Sequence, residues 1–391
     1  MNFIFLLALL IYIGYVTKSY YQYQKQPQQR LFLVLLFIIH YLGVYLAYKH
    51  TDGVIGTDAF SFYLNALYAD SWFSLFNIGS RFFSFLIYPL VKSGVSMFTL
   101  TLLFGTLSYQ GFLWYFRQMA RTSVNYFAVL KIPVTQWILL LPSLHYWSGF
   151  LGKDALVFFI LTHLLFRFKK VVYYNFTDVL FLLILALLRP HIFTVLVLVL
   201  SGFYLTNTQI QKKTKIRLVF LSLTVIGVII PVLMRFIKMK TFTYDAFLQK
   251  VSNLNTLAIS TGSGINLSES SFIERIWLLL FRPLFYDADS VYQWVVSVEN
   301  GIVLLFFVSI IIILFTNRHR IVSSKDVKFA LFSGIGIFLM IASYIYNLGL
   351  ASRMRLMFLP FLFYAINQMI NLRSVEAKSS LFNEEKEQNV K

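Results

Sequence analysis

The chain has no cysteine. Disulfides, thiolate nucleophiles and cysteine-ligated metals are therefore excluded. Charge is scarce as well: only 13% of its 391 residues are Asp, Glu, Lys or Arg, against roughly 25% in soluble domains. Carboxylates are the scarcer sign, with 16 Asp and Glu against 34 Lys and Arg. Familiar catalytic signatures are also missing: the sequence holds no glycine-rich phosphate loop, no HExxH and no GxSxG. Nor does it show an internal repeat or a matched pair of Gly/Pro-broken spans, the pattern of many secondary transporters.

Apolar residues take up the room. Hydrophobic side chains make up 58% of the chain, including 42 Phe and 24 Tyr. Several runs exceed the ~18 residues that mark a membrane span. The sequence therefore predicts an all-α, polytopic transmembrane helical bundle, one domain over residues 1–373. Residues 2–17 lack the basic start and small-residue cleavage site of a signal peptide and read as a retained first span. The apolar runs place about eleven spans, at 2–17, 31–48, 97–116, 123–141, 154–168, 174–188, 192–207, 217–234, 297–316, 329–346 and 356–371. Two further apolar stretches, 59–92 and 271–285, are broken by polar residues and read as interfacial helices.

Alternate connectors are basic. They carry Lys18, Lys25 and Arg30; Arg117 and Arg121; Arg167, Lys169 and Lys170; Lys212, Lys213, Lys215 and Arg217; Arg318, Arg320, Lys325 and Lys328; and Arg373 and Lys378. The positive-inside rule puts these at the cytoplasm, with the N-terminus outside and the C-terminus inside. This accounts for the net charge of +18 without a nucleic-acid partner. The result is a multi-pass protein of the plasma (bacterial inner) membrane. The Glu/Lys-rich residues 374–391 read as a disordered cytoplasmic tail.

The opposite face has long connectors at 49–96 and 235–296 and tight ones at 142–153, 189–191 and 347–355. It too is rich in basic residues, Arg235 and Arg275 among them, which oppose the orientation signal. Arg189-Pro190-His191 forms a hinge, Arg282 precedes Pro283, and Arg353 and Arg355 lie just before the last span. The guanidinium is a planar fork suited to phosphate oxygens, and ionisable groups at membrane depth usually serve a function. Lone arginines can also snorkel to lipid headgroups. The stretch LPSLHYWSGFLGKDALVFF places His145, Lys153 and Asp154 in a Gly-containing turn on the same face. In TDGVIGTDAFSFYLNALYADSWFSLF, Asp58 stands before an amphipathic helix, either as a general base for an acceptor hydroxyl or as the cap of that helix. Asp52 reads as a turn residue, and Asp154 suits a helix start. Ser271-x-x-Glu274 and Ser290-x-x-Gln293 are capping boxes. His40 and His163 fall inside spans and read as neutral histidines bonded to neighbouring helices. Glu299, one turn into a span, has no assigned role.

These features together resemble the GT-C superfamily of polytopic, lipid-dependent glycosyltransferases. Asp58 followed by YLNALYADSWFSLF is similar to the acidic loop and interfacial helices of its polyprenyl-phosphate-sugar transferases. LPSLHYWSGFLGKDAL and LLRPHIF resemble their Pro- and Arg-containing turns. A long external loop in the second half and outward-facing arginines resemble the O-antigen polymerase and ligase group. Two departures stand out: the acidic loop follows a second span rather than the first, and no large external domain is present. The resemblance implies a glycosyltransferase or polysaccharide polymerase using a polyprenyl-phosphate- or pyrophosphate-linked sugar and a glycan acceptor at the non-cytoplasmic face. Asp58 and His145 would be catalytic; Lys153, Arg189, His191, Arg282, Arg353 and Arg355 would bind phosphate or substrate. No tightly bound cofactor or metal site is implied, although the carboxylates are compatible with a divalent cation. The alternative is a flippase for a lipid-linked glycan, which would line its whole path with polar groups.

Overall fold

Helix breakers set the frame of this fold. In the computed structural model, which describes residues 1–120, 128–129, 132–168, 175–206, 211–237, 243–259, 264, 266, 269–316 and 324–388, nearly every element is helical. Arg121, Lys169, Lys170, Arg318 and Arg320 lie outside the described residues, as do 260–268 apart from Gly264 and Asn266 and the side chains of Arg235, Arg373 and Lys378.

The first half comprises α1 (Asn2–Tyr23), α2 (Pro27–Thr51), α3 (Asp58–Tyr68), α4 (Ser80–Lys92) and α5 (Met97–Ala120). Pro27 opens α2 at a position where a missing N–H costs nothing. Gly53 and Gly56, both at positive φ, make the turn that reverses the chain from α2 into α3. The regions predicted to be interfacial do form short helices, α3, α4 and α13 (Phe272–Phe281).

Residues 123–141 do not form the expected span. Their described part is a two-residue hairpin, β1 (Ala128–Val129) with β2 (Ile132–Pro133), followed by α6 (Val134–Trp137) and a 3₁₀ turn. The expected connector 142–153 is instead largely helix, α7 (Pro142–Gly149), which bends by 113° into α8 (Lys153–Phe168). Gln136 exchanges amide hydrogen bonds with Gln29 near the start of α2, at 2.8 and 3.3 Å. Gly149 abuts Val44 near the end of α2. The chain thus climbs beside α2 in pieces. Polar groups that such a break frees are tolerated where protein covers them, and Gln136 is fully buried.

The remainder is α9 (Phe176–Leu188), α10 (Pro190–Thr206), α11 (Lys212–Ile237), α12 (Tyr244–Ile259), α13, α14 (Val291–Thr316), α15 (Lys325–Tyr344) and α16 (Leu348–Gln388). Among the described residues, five helices are long and apolar enough to cross a membrane, or six if the bent α7–α8 pair counts as one span. That number replaces the expected eleven; α9 and α10 are apolar but shorter. The backbone of α16 stays helical to Gln388, through the residues read as a tail. Its apolar first half is enclosed on all sides: 83% of the stretch is buried. A helix apolar all round belongs at a centre, and Met357, Phe358, Phe363 and Tyr364 are among its fully buried side chains. By contrast α1 is only 11% buried and lies at the rim.

Candidate functional site

Four chain breaks meet at one end of the bundle. They are the α2–α3 turn, the α7–α8 bend, the α9–α10 hinge and the start of α16. At the hinge, Arg189 leaves helical geometry and Pro190 begins α10. Proline cannot continue the hydrogen-bond ladder of α9. The Gly79 N–H, at the start of α4, donates to Leu187 O at 2.8 Å and ties the hinge to α4.

Asp154, in the first turn of α8, is the hub. One carboxylate oxygen accepts from Arg189 Nη2 and the other from Arg353 Nε. Arg353 Nη1 also donates to Asp58 Oδ2 at 2.8 Å. Asp58 therefore does not cap α3; the cap position is Thr57, and the carboxylate faces Arg353 instead. Next to Asp154 in the chain, Lys153 donates to Ser80 Oγ at 3.0 Å. Asp154 and Arg189 are 3% and 6% exposed, so their charges act in a medium of low dielectric. Arg189 Nη1 reaches only the thioether of Met354, at 3.8 Å, and its Nε is buried without a hydrogen-bond partner. Three cations (Lys153, Arg189, Arg353) face two carboxylates (Asp58, Asp154), leaving one positive charge in excess.

Arg353 and Asp58 stand on the wall of a cavity of about 920 Å³. Its lining is mainly apolar: Ile39, Leu42 and Leu46 from α2, Val291, Val295 and Val296 from α14, and the rings of Tyr146, Trp147, Phe150 and Tyr292. Leu42, Leu46, Val291 and Val295 are each at least 45% exposed on the outer flank. The cavity therefore opens sideways, between two helices of membrane-spanning length. Its polar groups are few. Tyr146 OH and His50 Nδ1 lie 2.8 Å apart, and Glu299 projects from α14.

Of the other sequence candidates, His191 stays beside the cluster, within electrostatic reach of Arg189, Lys153 and Asp154, while His145, Arg355 and Arg282 separate from it. His145 is fully buried behind the cavity wall; its Nε2 faces Leu139 O at 2.6 Å and its Nδ1 faces His40 Nδ1 at 3.0 Å. The turn of α7 that carries Tyr146 and Trp147 to the cavity carries His145 toward α2, away from the cavity lining. Arg355 is likewise used internally. Its Nε donates to Leu279 O at 2.8 Å, Nη2 to Arg282 O at 2.7 Å and Nη1 to Asn300 Oδ1. Two residues apart on a helix means opposite faces, so Arg353 reaches the cavity while Arg355 fastens α13 and α14 to α16. His191 lies edge-on to Tyr344, with ring centroids 5.9 Å apart.

Arg282 forms a two-pronged pair with Asp287, one arm at 2.8 Å, and lies over the Tyr286 ring. This pair borders a separate polar cavity of about 450 Å³ with Glu269, Glu274 and Asp289. Burial pushes the Asp287 carboxyl up, but the Arg282 hydrogen bonds, the Leu284 N–H and the guanidinium charge outweigh burial and hold it below the usual carboxylate range. The Asp287 hydrogen bonds in turn raise Arg282. Among the described residues, no group of three or more His, Asp or Glu is arranged to hold a metal.

Sequence reasoning missed Asp154 as the hub, which it read as a helix-start residue, and left Glu299 unexplained. The signal for Glu299 was present: it is the only acidic residue in the 26 residues of α14. No family model matches the chain, and no curated protein or solved structure matches it either.

Proposed function

We propose that the chain is an integral membrane glycosyltransferase or polysaccharide polymerase. In this reading a sugar linked to polyprenyl phosphate or pyrophosphate is used at the non-cytoplasmic face, in a GT-C-like arrangement with the N-terminus outside and the C-terminus in the cytoplasm. One observation carries it: Arg353, backed by Arg189 and Lys153, stands beside an apolar cavity that opens on the outer flank. An amphiphile with a long hydrocarbon and an anionic head matches both parts. The hydrocarbon would approach between α2 and α14, and the (pyro)phosphate would meet the excess positive charge. Arginines held by Asp154 are fixed in place before the reaction, so they stabilise charge growing on the departing phosphate without reorganising. The acceptor is a glycan hydroxyl that replaces the phosphate at the sugar's anomeric carbon. Arg282 and Arg355, which have internal partners, lie outside this role.

The test is the surface-glycan and lipid-linked-oligosaccharide profile of a deletion strain, complemented with the intact gene or with Arg353→Ala. Single repeats accumulating on lipid identify a polymerase, and a repeat lacking one sugar identifies a single-sugar transferase. Arg353→Ala is expected to fail to complement at normal expression. Intact lipid-linked glycan trapped on the cytoplasmic leaflet would mean a flippase instead. An unchanged profile would end the glycan reading.

A further inference from the structure

Glu299 is the least satisfied acid of the cavity. Its residue is 4% exposed. One carboxylate oxygen accepts the Ser143 N–H at 2.8 Å, an otherwise unpaired donor in the first turn of α7. The other oxygen is buried and has no hydrogen-bond partner, although the side chain lines the cavity. Leaving a buried carboxylate oxygen unmatched is costly, and an ionisable group within a membrane-length helix is functional by default. Asp58 and Asp154 differ: both are committed to arginines. Glu299 makes no ion pair among the described residues; Arg355, from α16, and Tyr292, from its own helix, are the ionisable groups that act on it.

The position suits an acceptor. Tyr146, Trp147 and Tyr292 line the same cavity and offer flat faces on which the C–H faces of a sugar ring can rest. Glu299 lines this cavity and its second oxygen is unpaired, so a small turn of the carboxylate would supply what a sugar hydroxyl needs, an acceptor for its hydrogen. Arg353 stands on the same cavity wall, so the leaving phosphate and the arriving hydroxyl can share one chamber.

Resting on the function proposed above, we infer that Glu299 is the catalytic base: it binds the acceptor sugar's hydroxyl and takes its proton. As the acceptor oxygen bonds to the anomeric carbon of the lipid-linked sugar, the bond from that carbon to the phosphate oxygen breaks. The electron pair leaves with the phosphate, which Arg353 and Lys153 stabilise. The hydroxyl proton ends on Glu299 and passes to water as the products depart. Asp58 then has a different task, holding the orientation of Arg353.

The experiment uses the full-length chain in liposomes, with the polyprenyl-linked sugars and oligosaccharides extracted from the deletion strain as donor and acceptor. Glu299→Gln keeps an oxygen for Ser143, so the fold should survive. Its kcat is expected to fall by about 10²- to 10⁴-fold, the range for loss of a general base, with KM little changed. Glu299→Ala should be equally slow and partly restored by added formate, which places a carboxylate in the vacated space; a residue that only supports α7 would show no such rescue. A Glu299→Gln enzyme within about twofold of the intact kcat overturns the inference. If Arg353→Ala is inactive in that same assay, the transferase reading stands without it. If the intact chain transfers no sugar at all, both fall together.

Discussion

Arginine chemistry at this site depends on which carboxylate each guanidinium meets. Arg189 and Arg353 share Asp154, so each is held in place, and Arg353, on the cavity wall, is the one a ligand can meet. Removing a buried partner of such a pair typically costs about 3–5 kcal/mol, because the surviving charge is left without compensation. Positioning and stability are thus coupled in Asp154, and lost activity on its substitution would have to be read beside a folding measurement. The Arg282–Asp287 pair is simpler to test. The Asp287 carboxyl lies below its ordinary value, and an unperturbed Asp titrates at about 3.9. A depressed folded-state value means the stabilisation is fully present above the unfolded value and is lost as pH falls through the folded one. Asp287→Asn is therefore expected to lower the thermal midpoint in detergent at pH 7. The gap to the intact protein should close as pH drops below about 4. A gap independent of pH across that range would mean that the carboxylate charge is not what the pair contributes.

At the level of elements, the α2–α7 contact determines where the cavity's aromatic side chains stand. A Cβ on Gly149 would meet the Val44 Cα at 2.8 Å and N at 2.9 Å, and one on Gly43 would meet the His145 carbonyl carbon at 2.9 Å. Two backbones in contact cannot yield as a side-chain tip can. Small residues at such crossings are how helices approach closely in membranes. Gly149→Ala should cost about 1–3 kcal/mol, the usual range for overpacking, and lower activity by shifting Tyr146 and Trp147. Gly14→Ala, with open space around its Cβ, should be neutral or slightly stabilising, since Ala is the better helix former. Equal thermal midpoints for the two variants would refute the close-approach argument. This contact also shows what the sequence could not convey. Caps are local, so Ser271 does accept the Glu274 N–H as its spacing predicts, at 3.1 Å. The short helices α3, α4 and α13 and the Arg-Pro-His hinge were legible for the same reason. The passage through 123–141 was not, because an apolar run has the same hydropathy whether it is one helix or a broken path buried by neighbours. Arg353 and Arg355 looked alike in the chain; only their opposite helix faces, set against different partners, separate them.

For the whole molecule, orientation is the property on which the chemistry hangs, because the Asp154 cluster and the cavity lie at one end of the bundle. The connector between α3 and α4 and the approach to α14 belong to that end, and the start of α15 belongs to the other. Basic residues favour the cytoplasmic side, and Lys325 and Lys328 stand at the start of α15. The Asp58–Arg353 end should accordingly face away from the cytoplasm. The absence of cysteine makes this directly measurable, since a single introduced thiol is the only one in the chain. Ser71, Ser290 and Ser324 are all exposed, so each can be replaced by Cys one at a time without disturbing the core. In intact cells or spheroplasts, a membrane-impermeant maleimide should label Ser71→Cys and Ser290→Cys. Ser324→Cys should react only after the membrane is opened. The reverse pattern would put the cluster in the cytoplasm, where nucleotide-activated sugars are available, and the case for a lipid-linked donor would lose its physical basis. Labelling of Ser71→Cys and Ser324→Cys from the same side would instead mean that the chain crosses the membrane an even number of times between them, where the proposed topology requires an odd number, and the path from α5 to α14 would need to be redrawn before any mechanism is assigned.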